Sequence, residues 1–218
     1  MRYVIPLIFA LGLAACGDSN DATDKTSQTP NVAAATGSAG LSTCVACHGA
    51  NGEGNKGLSA PAIANLEDWY VVRQLTNFRD DIRGTGSDHQ GAQMKAIVAN
   101  LSDQDIQSLA QQVADLPDVT STDTSGGDPL AGKNYYYHQC GACHGPGARG
   151  NKTLGAPRLA GLDDWYINSQ LNKFAEGIRG NHAQDHYGSQ MVFMMGKLTH
   201  KDQLRDITAF LRDPSVAE

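Results

Sequence analysis

The chain has 218 residues, 40% hydrophobic and 18% charged, which places it with globular proteins and excludes disordered and collagen-like chains. Its net charge of −6, from 17 basic and 23 acidic residues, excludes a sequence-independent nucleic-acid binder, which needs a basic face. Of the 5 cysteines, four sit in two copies of C-x-x-C-H and Cys16 stands alone near the N-terminus.

Met1-Arg2 is a short basic start, followed by an apolar run over residues 3–13. That run is too short to span a bilayer, which needs about 20 residues, but it suits a signal-peptide core. Leu13-Ala14-Ala15-Cys16 resembles the bacterial lipobox. It predicts a signal peptide over 1–15, cleavage before Cys16 and an acylated N-terminus. An ordinary signal peptide with an incidental cysteine is the alternative. Residues 17–38 are rich in Asp, Ser, Thr, Asn and Ala with no apolar periodicity, so 16–36 reads as a disordered tether with a reach of about 25 Å. The chain is therefore expected in the periplasm, held to a membrane by lipid.

The remainder is a repeat. Cys44-Val45-Ala46-Cys47-His48-Gly49 returns as Cys140-Gly141-Ala142-Cys143-His144-Gly145, 96 residues later, and Pro61 returns as Pro157. At the same offset Trp69, Tyr70, Gln74, Leu75, Phe78, Ile82, Arg83 and Gly84 match Trp165, Tyr166, Gln170, Leu171, Phe174, Ile178, Arg179 and Gly180. Asp88-His89 and Gln93-Met94 match Asp185-His186 and Gln190-Met191 at 97, and Ile106 and Leu109 match Leu204 and Ile207 at 98. Two homologous domains are expected, over 37–116 and 129–218, joined by a polar, turn-rich linker over 117–128.

Val71, Leu75, Phe78 and Ile82 fall on one face of a helix, and Ile167, Leu171, Phe174 and Ile178 repeat that face. Glu67-Asp68 and Asp163-Asp164 place acid in the first turn, where the helix dipole favours it. Ser102-x-x-Asp105 and Thr199-x-x-Asp202 are capping patterns opening each last helix. Residues 49–66 and 145–162 hold Gly and Pro with little periodicity, and no alternating strand is evident. Loops this long in an all-α domain of this size imply that something besides side chains fills the core.

C-x-x-C-H is the attachment pattern of c-type haem. Two thiols reach the two vinyl groups of one porphyrin, and the adjacent histidine reaches the iron. A thioredoxin-like site needs a βαβ pattern, absent here. A zinc site or a pair of disulfides leaves both histidines unexplained. Haem iron takes a second axial group unless the site is open. Met94 lies 46 residues after His48 and Met191 lies 47 after His144, each after a Gln in a matched loop; both are the expected sixth ligands. Core packing is the alternative for these methionines, and His89 and His186, five residues earlier, could ligate instead. Met194 and Met195, unmatched in the first copy, are expected to pack. His138, His182 and His200 are expected at the surface.

A CxxCH start, a Pro in the next loop, a Q-L-x-x-F helix ending in R-G, then Q-M before a final amphipathic helix together resemble a class I cytochrome c domain. Two in tandem resemble the dihaem cytochrome c-four family, over about 37–116 and 129–213. The resemblance implies two c-type haems on Cys44, Cys47, Cys140 and Cys143, with His48/Met94 and His144/Met191 on the irons. It implies that the Pro61 and Pro157 carbonyls hold the imidazole Nδ1–H groups. It places Arg83, Arg179 and the Trp-Tyr pairs near the haem propionates, with a core role for the Trp rings equally open. Such domains open with a helix whose Gly and aromatic pack on an aromatic of the last helix. The second copy has Gly132, Tyr135, Tyr136, Tyr137 and Phe210 for this. The first has Thr36, Ala39, Gly40, Leu41 and Gln112, so a short opening helix and a less stable domain are expected.

Two His/Met haems suit an electron carrier between a quinol-oxidising complex or dehydrogenase and a terminal oxidase or reductase, since neither iron has a vacant position. The alternatives are a haem enzyme, such as a dihaem peroxidase or a thiosulfate dehydrogenase, and the electron-accepting subunit of a periplasmic dehydrogenase. The linker is short enough to keep the domains at high effective concentration, so they are expected to face each other.

Overall fold

The computed structural model describes residues 40–121, 126–198 and 201–212. The expected signal peptide, Cys16, the tether, and Thr36, Ala39, Thr199 and His200 lie outside the described residues. In chain order the elements are α1 (Ser42–His48), α2 (Asp68–Arg79), α3 (His89–Val98) and α4 (Asp103–Ala114), then α5 (Pro129–Gln139), α6 (Gly141–His144), α7 (Asp164–Ala175), α8 (His186–Met195) and α9 (Lys201–Arg212). Among the described residues there is no strand. Extended pairing is confined to the single bridges Asn55–Ala60 and Asn151–Ala156.

α2 packs on α4, α7 on α9, and α5 on α9. Val71 and Phe78 of α2 and Ile167 and Phe174 of α7 are buried, as the periodicity requires. Ile82 and Ile178 depart from it, because α2 stops at Arg79 and α7 at Ala175. Asp81 and Gly177 adopt φ of +63° and +67° and turn the chain back. The Ile82 and Arg83 N–H groups then both donate to the Asn77 carbonyl at 2.9 Å. Each isoleucine is half-buried beyond its helix, and the following arginine is aimed inward. Ser102 and Asp105 form a reciprocal capping box at α4.

The contact between the opening and closing helices of the C-terminal domain is present. Tyr136 and Phe210 are fully buried, with ring centroids 5.1 Å apart, an arrangement worth about 0.5–1.5 kcal/mol beyond its area. Gly132 permits the crossing, since a Cβ there would overlap the Asp206 carbonyl. In the N-terminal domain Leu41 instead packs against Val71, Ala110 and Val113, while Gln112 Nε2 turns back to donate to the Ser108 carbonyl at 3.2 Å.

The two aperiodic stretches are built alike. Asn55 and Asn151 each accept the N–H of Leu58 and Leu154, clamping one 3-10 turn apiece. The Gly54 and Gly150 N–H groups donate to the His48 and His144 carbonyls at 2.7 and 2.9 Å.

The described residues all fall in one compact unit, and the two domains face each other. The chain leaving α4 is pinned to both. Val119 pairs with the Asn65 side chain through two hydrogen bonds, 2.6 and 3.1 Å, and Ser121 Oγ donates to Asp163 Oδ1 at 2.6 Å.

Candidate functional site

Among the described residues each domain has an apolar-walled cavity, of about 1610 Å³ in the N-terminal domain and 1430 Å³ in the C-terminal one, counted out to the mouth. Cys44, Cys47 and His48 line the first, with Pro61, Phe78, Arg83 and Met94. Cys140, Cys143 and His144 line the second, with Pro157, Phe174, Arg179 and Met191. The two CxxCH motifs therefore occupy separate cavities. Among the described residues no three His, Cys, Asp or Glu side chains are close enough to hold a bare metal ion.

Both histidines are buried at 7% and 6% exposure. His48 Nδ1 lies 2.7 Å from the Pro61 carbonyl oxygen, and His144 Nδ1 lies 2.8 Å from that of Pro157. A carbonyl only accepts, so Nδ1 carries the proton and the Nε2 lone pair is left for a metal. Burial lowers both imidazole pKa values, against the proline carbonyls, which raise them. The neutral, ligating form is thereby favoured. Burial also raises the Cys44 thiol, and with Cys143 beside it pushes Cys140 up to about 11.

The methionines are not in loops. Met94 lies within α3 and Met191 within α8. Asp88 and Asp185 cap these helices, accepting the Gly91 and Gly188 N–H groups at 3.1 and 2.8 Å. A glycine inside each helix and a polar run before each methionine mask the helical period. The repeated Asp-His-x-Gly was the available signal. His89 and His186 open the helices and are exposed. Five residues is about 140° around a helix, so these histidines project away from the wall that carries the methionines. Met194 and Met195 also line the second cavity, with Met195 packed against Phe174 and Leu204.

Between the cavities lies a ring that the sequence reading missed. Arg83 donates to Gln74 Oε1 at 2.6 Å in its own domain and to Gln170 Oε1 at 2.8 Å in the other. Arg179 donates to Gln170 Oε1 at 2.9 Å and to Gln74 Oε1 at 2.9 Å. Tyr166 and Tyr70 hydroxyls flank the two arginines, and Phe78 and Phe174 lie under their guanidinium planes at 4.4 and 4.5 Å. Tyr70, Gln74, Tyr166 and Gln170 line both cavities. Arg83 and Arg179 are each buried, and the Nε of each has no partner. A pair of buried cations, each with an unpartnered Nε–H, Arg83 on the wall of the N-terminal cavity and Arg179 on that of the C-terminal one, fits the carboxylates of an anionic macrocycle.

The two-fold likeness is imperfect. Arg73 closes the C-terminal cavity from the other domain, donating to the Gly155 carbonyl at 2.7 Å and covering the Tyr187 ring at 4.3 Å. Its counterpart Ser169 lines the N-terminal cavity together with Trp165 and Lys173. Trp165 is thus a cavity wall, while Trp69 lies beneath Arg73 at 4.9 Å.

The model of the family described as cytochrome c matches residues 34–116 and again 130–214. The chain belongs to the cytochrome c family. It is 29% identical over 175 residues to cytochrome c4 of Azotobacter vinelandii, covering 74% of this chain and 80% of that one. It is 31% identical over 157 residues to a thiosulfate dehydrogenase electron acceptor of Stutzerimonas stutzeri, covering 66% and 68%. Among solved structures, Acidithiobacillus ferrooxidans cytochrome c4 matches with a TM-score of 0.62 at 27% identity, over 78% of this chain and 97% of that one. The thiosulfate dehydrogenase TsdBA of Marichromatium purpuratum matches with a TM-score of 0.63 at 27% identity, and there this chain spans 36% of the other. This cytochrome is therefore an all-α, tandem-domain dihaem electron-transfer protein with two covalently bound c-type haems.

Proposed function

We propose that this dihaem cytochrome is a carrier and not an enzyme, passing electrons along a respiratory chain, with a terminal oxidase as the favoured acceptor. The observation that carries this reading is the doubled cavity: each has Cys-x-x-Cys-His on its wall and a helical methionine as well. Cys44 and Cys47 hold one haem and Cys140 and Cys143 the other. His48 and Met94 ligate the first iron, and His144 and Met191 the second. Pro61 and Pro157 orient the histidines, and Arg83 and Arg179 neutralise the propionates. The haems supply one-electron chemistry. His48 and Met94 on one haem, and His144 and Met191 on the other, would let each haem change oxidation state without exchanging ligands, and the methionines would raise the potentials.

A quinol-oxidising complex or a periplasmic dehydrogenase is the donor in this reading. Cys16 carries lipid after removal of 1–15, and 16–36 tethers domains 37–116 and 129–218, joined through 117–128, to the periplasmic face of a membrane. No helix among the described residues is long and apolar enough to cross a membrane. A second reading, the electron-accepting partner of a dehydrogenase, is supported by the likeness to the Stutzerimonas stutzeri electron acceptor.

Reduced-minus-oxidised spectra with a near-infrared scan for a methionine–iron band, followed by addition of thiosulfate alone, test the proposal. The carrier shows two His/Met haems and stays oxidised in thiosulfate until a thiosulfate dehydrogenase is supplied. Reduction by thiosulfate alone, or a missing methionine band on one haem, overturns it in favour of an enzyme.

A further inference from the structure

The peptide that holds each haem histidine is gripped from its other side by the opposite domain. The carbonyl of the Pro61–Ala62 peptide accepts from His48 Nδ1 at 2.7 Å. The N–H of the same peptide donates to Asp163 Oδ2 at 3.1 Å, across the domain boundary. The second copy repeats this. The Pro157 carbonyl accepts from His144 Nδ1 at 2.8 Å, and the Arg158 N–H donates to the Glu67 carboxylate at 3.0 and 3.3 Å. Asp163 and Glu67 are themselves 96 residues apart.

Both acids occupy the N-cap positions of α7 and α2, yet neither side chain caps its own helix. An N-cap carboxylate ordinarily accepts an N–H from its own first turn. Here that interaction is forgone, twice and at matched positions, for a peptide of the other domain. The peptide is also held still. Gly54 and Gly150, with φ of +87° and +84°, lie so close that a Cβ on either would overlap it. Asp163 is 8% exposed and takes a second hydrogen bond from Ser121.

We propose that Asp163 and Glu67 are positioning residues that set the reduction potential of the haem in the opposite domain. The proposal rests on His48 and His144 being the iron ligands. A carboxylate on the N–H side of an amide draws positive charge to the hydrogen and leaves the carbonyl oxygen more negative, and hydrogen bonds chained in this way strengthen one another. The stronger acceptor pulls the Nδ1 proton and makes the imidazole a better donor to iron. That favours the ferric state and lowers the potential. Each domain thus fixes the poise of its neighbour's haem, and the poise depends on the two domains staying packed.

The test is a potentiometric titration of full-length holoprotein in the Asp163→Asn, Glu67→Gln and Asp68→Asn variants. The midpoints are assigned to individual haems with the variants Met94→His and Met191→His. Asn and Gln keep an oxygen acceptor, so the peptide contact survives while the charge is lost. Asp68 is the control: exposed, one residue from Glu67, with its carboxylate on its own helix at Trp69 N–H, 2.6 Å. Asp163→Asn should raise the midpoint of the N-terminal haem, and Glu67→Gln that of the C-terminal haem. Asp68→Asn should leave both near wild type. Asp163→Glu, which installs the side chain used at the matched position, should restore the N-terminal midpoint and guards against a folding defect in the Asn variant. Shifts no larger than those of Asp68→Asn, or shifts in the haem of the mutated residue's own domain, overturn the proposal while leaving the ligands in place. A wild-type spectrum without His/Met haem overturns the ligand assignment and the proposal with it.

Discussion

Arg179 reaches across the domain boundary and donates from Nη2 to Gln74 Oε1 at 2.9 Å. The same oxygen accepts from Arg83 at 2.6 Å, so one neutral amide oxygen serves two buried cations from two domains. Hydrogen bonds to charged groups are worth about 1.5–3 kcal/mol. Gln74→Leu should therefore lower the stability of the holoprotein by about 2–3 kcal/mol in urea unfolding, with the domains separating at lower denaturant than in wild type. An unchanged midpoint would mean that the ring does not hold the domains together.

The Lys173–Asp88 ion pair, 2.5 Å, also crosses the boundary and has no two-fold mate, since the matched residues are Asn77 and Asp185. Burial alone would push the Asp88 carboxyl up. Lys173 and the Gly91 N–H outweigh it and hold the pKa below the usual aspartate value. An acid with a depressed folded pKa contributes stability above its unfolded pKa, about 3.9, and loses it as pH falls through the folded value. Side-chain exposures of 12% and 1% make loss of one partner costly, about 3 kcal/mol. Lys173→Met should be destabilised by that order at pH 7 and lose less than wild type on acidification below about pH 4. Parallel acid profiles would contradict this.

Met94→His and Met191→His should retain covalent haem and lower the potential of the substituted haem only, because imidazole donates more strongly than thioether to ferric iron. For the second haem an unchanged titration would transfer the ligand role to Met194 or Met195, which share the wall of that cavity, or to His186.

Cys16→Ser should release a membrane-associated protein into the soluble periplasmic fraction. Fractionation with mass analysis of the N-terminus checks this. A wild-type protein that is already soluble and carries no acyl mass would remove the lipid anchor.

What was legible in the sequence was the chemistry that demands neighbours along the chain. Cys44, Cys47 and His48 had to be adjacent to serve one macrocycle, and doubling them 96 residues on located both cavities. Gln74, Gln170, Glu67 and Asp163 were visible as matched polar residues, but their partners lie across a domain boundary, which no local period encodes. Glu67 and Asp163 looked like ordinary first-turn acids until their carboxylates were seen to cross to the Arg158 and Ala62 N–H groups. Gly91 and Gly188 hid two helices and made the methionines look like loop residues. Ile82 and Ile178 kept the helical spacing past a left-handed turn, so the pattern overran the helix.

Two unlike haem sites are expected to be coupled through one interface. Arg73 and Tyr187 line one cavity and Lys173 and Ser169 the other, so the two environments differ. A spectroscopic redox titration of the intact holoprotein beside Gln74→Leu tests this most directly. Two unequal one-electron steps, with a separation that changes when Gln74 is replaced, are predicted. A single one-electron wave, the same in both proteins, would reduce the molecule to two independent haems on one chain.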